Sequence, residues 1–295
     1  VAVEAADPAV WSVLRERYSG FAGAGSAGMI VEIRVCEPEE AGEFLDVPAA
    51  DFRAAAPVRS RSAGGAGPAD AALERRRLSR PVVRELAGGV LMRRKDFAAF
   101  LEPRVGRARL AVRPRMLAIG VDSFLRICFS FVALEVHGLL LHAAGLVRNG
   151  RAYLFFGPSG TGKTTIARVS AEQARVLSDE MILIRRIASG YHAYGTPFFG
   201  DDNLRKAESG GQPLAAAFVP VKDTRVSLVR SRRGPALAKL LSACLFFGTT
   251  REAHAALMAR ANDVLDVVPC YDLHFRKDPG FWSEVDALPS AEGQP

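Results

Sequence analysis

Cysteine is scarce in this chain, with four residues among 295: Cys36, Cys128, Cys244 and Cys270. They lie far apart, and none forms the close pair that is typical of a zinc site. Disulfide frameworks belong mainly to short secreted chains. The cysteines therefore indicate free thiols, a reducing cytoplasmic location and no structural zinc.

The sequence also lacks a long apolar run without charges. Its most apolar stretch, residues 124–147, is interrupted by Arg126, Glu135, His137 and His142, whereas a membrane span prefers about 20 predominantly apolar residues. The first residues, VAVEAADPAVWSVLRERY, lack the basic start and apolar core of a secretory signal. We expect no membrane span and interpret residues 124–147 as core.

Acidic residues are outnumbered, and the formal net charge is +7. This balance favours an anionic partner without choosing among nucleotide, nucleic acid, acidic protein or membrane surface. Arginines cluster at residues 75–77, 93–94 and 104–115. No recognition motif with interleaved aromatic residues accompanies them, so we expect a solvated basic surface and no nucleic-acid binding.

The character of the chain changes near residue 119, which predicts two domains. Residues 1–118 are expected to form a small α/β accessory domain, with a helix at 10–18, a strand at 29–35 and a loop or linker at 54–70. Residues 119–295 are expected to form an α/β nucleotide-binding domain with a mixed sheet. Nothing in the sequence decides the oligomeric state, and a homo-oligomer stays open.

The second half alternates apolar strands with helical segments. LLLHAAGLV after Gly138 and AYLFF (152–156) predict two strands joined at Asn149-Gly150, the strongest short hairpin signal. A helix is predicted at 164–173, a strand at MILIRRI (181–187), further strands at AAAFVPV and VSLV, and helices at 235–246 and 251–261. FWSEV near the end predicts a short helix.

The strongest motif is Gly157-Pro158-Ser159-Gly160-Thr161-Gly162-Lys163-Thr164, which fits the P-loop pattern at every fixed position. Glycines let backbone N–H groups turn toward phosphate oxygens, and the following helix directs its positive end at the same anion. Lys163 is expected to bind the β- and γ-phosphates, and the Thr164 hydroxyl a Mg²⁺ ion; Thr165 extends the cradle. A glycine-rich turn without ligand and a non-hydrolysing nucleotide site are the alternatives.

A P-loop needs a carboxylate for its metal, usually at the end of a neighbouring strand. Asp179-Glu180, flanked by apolar segments, is the candidate pair. One acid would hold Mg²⁺, and the other would accept a proton from an incoming hydroxyl. The alternative is a turn with two solvated acids.

Other polar residues near these motifs have two interpretations. His142 lies on the strand predicted to pair with the one before the P-loop, and is either a site residue or a hydrogen-bonded core histidine. His137 is interpreted as structural. Asp201-Asp202 would supply another site carboxylate or lie in a solvated loop.

The run LHAAG…GRAYLFFGPSGTGKTTIARV…RVLSDE resembles the HPr kinase/phosphorylase family, and more closely the HPr kinase-related proteins of bacterial gene clusters. The resemblance covers about residues 120–290 and is most specific from His142 to Glu180. It implies a fold shared with ATP-dependent phosphoenolpyruvate carboxykinase, whose P-loop the string GTGKTT resembles. The N-terminal domain gives no match.

The resemblance also implies roles for single residues. Asp179 matches the acid that activates a serine hydroxyl, Glu180 a second acid near the metal, and His142 a histidine near the reacting phosphate. The second acid of that family is typically Asp, so Glu180 is a departure. The segment that supports phosphorylase activity is not recognised.

Three functions follow as hypotheses. The first is an ATP- and Mg²⁺-dependent kinase for a serine-type hydroxyl of a protein or peptide, with Asp179, His142 and Lys163 as catalytic residues. The second is a kinase for free serine or a related small hydroxy acid. The third is a nucleotide-gated binding module without transfer activity. A deep pocket beside Asp179 would favour the second, an open groove there that continues onto the other domain would favour the first, and separation of Asp179 from the P-loop would favour the third.

Overall fold

A computed structural model of the chain describes residues 1–23, 27–55, 80–198 and 210–289. The chain divides into two compact units. The first consists of Val1–Ser19 and Ala24–Cys128, and the second of Phe129–Pro295 together with Gly20–Gly23. The predicted domain boundary at residues 118/119 stays a prediction; it lies at the start of a helix, Leu117–Glu135, that contributes residues to both units.

The first unit is built around a mixed sheet. Its elements are β1 (Ala2–Ala5), α1 (Pro8–Tyr18), β2 (Ile30–Val35), α2 (Gly42–Leu45), α3 (Ala49–Ala54), β3 (Val82–Leu86), β4 (Gly89–Arg93), β5 (Phe97–Glu102) and β6 (Arg107–Val112). The strand order in the described residues is β1-β2-β6-β5-β4-β3. β1, β2 and β6 run parallel to one another, and the consecutive strands β3, β4, β5 and β6 pair antiparallel.

One face of this sheet is covered by α2 and α3. Leu45, Val47 and Phe52 pack there against Leu91 and Phe100. Arg93 is buried beneath α3, where its guanidinium donates a 2.7 Å hydrogen bond to the Phe52 carbonyl and lies over the Phe52 ring. At least one residue of the predicted arginine clusters therefore has a structural role.

The apolar stretch at residues 124–147 is divided between two elements. Helix α4 (Leu117–Glu135) ends before His137, which has a positive φ of 58°, and strand β7 begins at Gly138. With its preceding turn the helix is long and apolar enough to cross a membrane, yet half of its most apolar window is buried within the fold. This burial supports its interpretation as a core helix.

The second unit contains a larger mixed sheet with helices on both faces. Its further elements are β7 (Gly138–Arg148), β8 (Arg151–Phe156), α5 (Lys163–Ser170), β9 (Arg175–Ser178), β10 (Met181–Ile187), β11 (Gly190–Gly195), β12 (Gly211–Lys222), β13 (Ser227–Arg230), α6 (Arg233–Ala243), α7 (Arg251–Val267), β14 (Cys270–Phe275) and α8 (Trp282–Asp286).

Strand order in this sheet is β11-β10-β7-β8-β12-β14-β13, with β9 also paired to β7. Three central strands, β8, β12 and β14, are parallel, and the others are antiparallel to their neighbours. β11 also pairs with the start of β12, which closes one side of the sheet. The predicted mixed α/β architecture, with antiparallel strands before the P-loop, is confirmed.

Alternating residues of the strands face two cores. On one face, Leu154 and Phe156 of β8 pack with Leu240 of α6 and Val264 of α7. On the other, Phe155 packs with Ile166 of α5 and with Trp282. Since both faces are covered, β8 and the AAAFVPV segment of β12 are almost entirely apolar, as their sequences predicted.

Most predicted elements are confirmed, with adjusted bounds. The hairpin turn lies at Asn149-Gly150, where both residues have positive φ values of 52° and 73°. The helix predicted over 164–173 ends at Ser170, and the helix predicted over 251–261 continues to Val267. Most of the predicted 54–70 linker falls outside the described residues.

Candidate functional site

The P-loop connects β8 to α5 at the carboxyl end of the parallel strands. Gly157, Gly160 and Gly162 all have positive φ, at 144°, 86° and 109°, a backbone that other residues rarely adopt. The turn is held by Thr161, whose hydroxyl and N–H both donate to the Pro158 carbonyl, at 3.0 and 3.4 Å. The exposed tip, residues 158–160, leaves the loop open to an incoming anion.

Gly162 has a second reason to be glycine. A Cβ at this position would lie 2.6 Å from Cζ of Phe275, the last residue of β14. Helix α5 starts at the next residue, and Ile166 N–H donates to the Gly162 carbonyl at 2.8 Å. The close contact with Phe275 thus fixes where α5 begins relative to the sheet.

Lys163 folds back over the loop instead of extending into solvent. Its Nζ donates to the carbonyls of Gly157, at 2.9 Å, and Pro158, at 3.2 Å, and the residue is 6% exposed. Burial lowers the pKa of its ammonium group, and the neighbouring Glu180 carboxylate acts in the opposite direction. A cation held at the loop by neutral carbonyls is available to a phosphate.

The register of three strands brings the acidic pair to the same edge. Ala143 of β7 pairs with Phe156, the last residue of β8, and its N–H donates to the Glu180 carbonyl at 3.1 Å. Phe156, Ala143 and Glu180 therefore form one row across the sheet. The next row toward the edge of the sheet holds Gly157, which follows Phe156, and His142, which precedes Ala143. The P-loop, His142 and the acids therefore meet at one end of β8.

Asp179 and Glu180 do not lie in a solvated turn. The end of β9 and the start of β10 run along β7 in the same register, with Ser178 opposite Gly145 and Met181 opposite His142, so the two acids interrupt a nearly continuous strand. Asp179 is 1% exposed and falls opposite Ala144, which packs in the core beneath α5. β7 separates this strand from β8, so the acids are not on the strand next to the P-loop strand.

His142 is exposed, which contradicts the interpretation as a core histidine. Its side chain is 46% exposed, and its Nε2 lies 3.6 Å from Oε2 of Glu180, whose side chain is 33% exposed. Glu180 thus lies beside the His142 ring, and its charge also acts to raise the pKa of the Lys163 ammonium.

Two buried hydroxyls hold the acidic junction, and sequence reasoning missed both. Ser178 Oγ accepts from the N–H groups of Glu180 and Met181, each at 3.2 Å, and donates to the Phe198 carbonyl at 2.9 Å. Thr196 Oγ1 donates to the Met181 carbonyl at 2.7 Å and accepts from Phe198 N–H. We name this pair the hydroxyl clamp. The serine just before the acids was its only sequence signal.

The donor set fits a magnesium ion that arrives with phosphates. Thr164 lies half-buried in the first turn of α5, and Glu180 and Asp179 supply carboxylate oxygens at the same edge. Within the described residues, no group of three or more His, Cys, Asp or Glu side chains has metal-binding geometry. Mg²⁺ usually takes one or two carboxylates plus substrate phosphates, so a complete protein cage is not required.

Other predicted residues have different outcomes. Ser159 and Thr165 belong to the loop and the first turn of α5, as expected from the motif. Asp201-Asp202 lie outside the described residues. A pocket of about 270 Å³, lined by Arg151, Tyr153 and Tyr271, lies at the other end of β8, away from the P-loop. The phosphate cradle itself is an open surface feature.

The fold and site define a mixed α/β protein with a P-loop and a tandem acidic pair at the carboxyl edge of its sheet. The chain belongs to the family described as SynChlorMet cassette protein ScmC, whose profile matches residues 114–289. This match covers more than half of the chain, from just before α4 to the end of α8. Comparison with curated proteins finds no significant match.

Proposed function

We propose that the chain is an ATP-dependent kinase of the HPr kinase-like type that phosphorylates a serine-type hydroxyl of a protein or peptide. The observation that carries the proposal is the shared edge, where Lys163, Glu180 and His142 meet the start of the P-loop. This arrangement follows the order of motifs on which the family resemblance rests. A sheet of the phosphoenolpyruvate carboxykinase type and a cytoplasmic location belong to the same proposal.

Phosphate binding would rest on the loop backbone, the N-terminus of α5 and Lys163. The positive φ values at three glycines support a loop that turns N–H groups toward an anion. The Lys163 ammonium would exchange its two carbonyl acceptors for phosphate oxygens. When bound by Thr164 and Glu180, Mg²⁺ would neutralise charge on the phosphates.

Proton transfer would rest on Asp179. The acceptor hydroxyl would give its proton to the Asp179 carboxylate while its oxygen bonds to the γ-phosphorus. The bond from that phosphorus to the bridging oxygen breaks, and ADP leaves with the electron pair. The exposed His142 ring beside Glu180 would contact the transferring group or orient that carboxylate.

The openness of the site favours a large acceptor over a free amino acid. The loop tip, His142 and part of Glu180 are exposed to solvent, whereas Asp179 is 1% exposed, so the acceptor hydroxyl would have to enter past them to reach its carboxylate. A small hydroxy acid is normally held in a concave pocket that buries most of its surface. An exposed edge instead allows a protein segment to present one hydroxyl.

The first test is nucleotide binding, measured by isothermal titration with ATP in the presence and absence of Mg²⁺. Saturable binding that Mg²⁺ strengthens and that Lys163→Ala removes would support the proposal. Binding of ATP that is unchanged in Lys163→Ala would overturn it. Binding without phosphoryl transfer to any acceptor would favour the nucleotide-gated module.

A further inference from the structure

The second unit leaves one strand at an open end of its sheet. β13 is the last strand of the order β11-β10-β7-β8-β12-β14-β13, and in the described part of the chain it pairs only with β14. The opposite end is different, because β11 turns back to pair with β12. Unpaired strand edges can accept a further strand from another chain.

The register shows which backbone groups of β13 face outward. Just beyond the strand, Ser231 N–H donates to the Cys270 carbonyl at 2.9 Å. Bonded and non-bonded pairs alternate in an antiparallel ladder, so Val229 and Ser227 bond to β14 while Leu228 and Arg230 do not. The N–H and C=O groups of Leu228 and Arg230 are directed to the open edge.

The same edge is strongly basic. Arg225, Arg230 and Arg232 are all exposed, and no ion pair forms to any of them within the described residues. Arg230 lies over the Tyr271 ring at 5.2 Å instead. The neighbouring acid, Asp223, already pairs with His274 at 2.9 Å, and Arg233 pairs with Asp266. The surplus is therefore cationic and complements an acidic segment.

We propose that the β13 edge binds an extended acidic segment by strand addition, and that this segment belongs to the phosphoacceptor. The second half of this statement rests on the proposed kinase function; the first does not. Backbone hydrogen bonds to Leu228 and Arg230 would give the register, and the three arginines would select acidic side chains.

The position of the edge suits that role. Ser227 pairs with His274, next to Phe275, which contacts the P-loop at Gly162. β13 is three strands from β8, a lateral distance of about 14 Å at about 4.8 Å per strand. An extended chain covers this in about 4–5 residues. The acceptor serine should therefore lie about that far from the acidic segment.

The test measures binding without nucleotide, so that its failure is separate from failure of kinase activity. The probe is a fluorescein-labelled peptide of about ten alternating Glu and Val residues, titrated with the full chain and followed by anisotropy. We expect saturable binding that salt weakens, because the contacts are between exposed charges. Arg225→Glu combined with Arg232→Glu should weaken binding at least about 10-fold, and Lys163→Ala should have no effect.

A matched pair of variants separates strand addition from simple charge attraction. Arg230→Ala and Arg230→Pro remove the same charge, but only the proline removes the outward N–H. Proline should weaken peptide binding by a further factor of about 2–10, the value of one hydrogen bond. Melting temperatures of the two should be similar, because proline is tolerated where a strand N–H faces solvent.

A second probe covers the case in which Arg230→Pro fails to fold. A peptide N-methylated at every residue cannot donate backbone hydrogen bonds from either edge, and it should bind the wild-type chain much more weakly. Equal binding of plain and methylated peptides would overturn strand addition. So would equal affinity for a Lys-Val peptide, or tighter binding of a single-stranded RNA that is lost in the same charge variants.

Discussion

Lys163 combines a binding role with a cost in stability. Its ammonium is buried and donates to two loop carbonyls, and burial lowers its pKa from the ordinary value of 10.5. Lys163→Met keeps the length of the side chain and removes the charge. We expect nucleotide binding to be lost in this variant and phosphoryl transfer to fall by at least about 10²–10³-fold.

The same variant makes a prediction about pH. The folded state holds the proton of Lys163 less tightly than the unfolded state, so the charged form costs stability at neutral pH. This cost disappears as the pH rises from the folded-state pKa to 10.5. Urea unfolding should show Lys163→Met to be at least as stable as wild type at pH 7, with an advantage that narrows at alkaline pH. A widening difference would contradict the account of Lys163.

His142 gives a prediction in which activity and stability separate. Its side chain is 46% exposed and lies beside Glu180. Exposed side chains outside special features usually change stability by no more than about 0.5 kcal/mol when replaced. His142→Ala should therefore melt like wild type while its turnover falls, measured as kcat with saturating ATP. A lower melting temperature with normal specific activity would return His142 to a structural role.

At the scale of elements, the junction of β8, the P-loop and α5 depends on the contact between Gly162 and Phe275. Gly162→Ala should lower the free energy of unfolding by about 1–3 kcal/mol or more, since it combines a strained φ of 109° with a 2.6 Å clash. Gly160→Ala is the control, because its φ is also positive but nothing lies within 4 Å of a new Cβ. The check is urea unfolding of both variants.

Two comparisons complete the Gly162 prediction. When Phe275→Leu is added to Gly162→Ala, the double variant should recover part of the lost stability. When it is added to Gly160→Ala, no stability should be recovered. If the two alanine variants were equally stable, the Phe275 contact would not determine the start of α5.

The hydroxyl clamp predicts an effect on both stability and chemistry. Ser178→Ala leaves the Glu180 and Met181 N–H groups without their acceptor, at a cost of about 1–3 kcal/mol. Because the acids are then less firmly positioned, kcat should fall while the KM for ATP stays near wild type. Ser178→Thr, which keeps the hydroxyl, is the matched rescue. A loss of stability with unchanged kcat would limit the clamp to a structural role.

Local signals predicted much of the second unit. Asn149-Gly150 specifies a hairpin because both residues tolerate positive φ, and the P-loop pattern specifies strand, loop and helix. The order of strands was not predictable, because it depends on pairings between distant segments. Sequence spacing therefore failed to show that β7 lies between β8 and the acidic strand.

The candidate site was predictable as a set of residues and not as an arrangement. Flanking apolar segments correctly indicated that Asp179-Glu180 is more than a solvated turn. The long-range bonds of the hydroxyl clamp, from Ser178 to Phe198 and from Thr196 to Met181, and the Phe275 contact join residues at least 15 positions apart. No local pattern marks such contacts, and only the folded register reveals them.

At the scale of the whole molecule, the family match covers residues 114–289, which include every proposed site residue. The first unit has its own sheet and core. Its surface carries arginines that take no part in the proposed chemistry. The proposed function therefore concerns the second unit, with the P-loop at one edge of its sheet and the basic β13 strand at one end.

The central claim is that Asp179 serves as the base in phosphoryl transfer, and one measurement tests it most directly. Transfer of label from [γ-³²P]ATP to the protein products of neighbouring genes should be compared between wild type and Asp179→Asn, at equal occupancy by Mg·ATP. Asparagine keeps the size and polarity of the buried side chain but accepts no proton. We expect labelling of a serine by wild type and a rate lower by about 10²–10⁴-fold in the variant. Transfer by Asp179→Asn at the wild-type rate would contradict the mechanism.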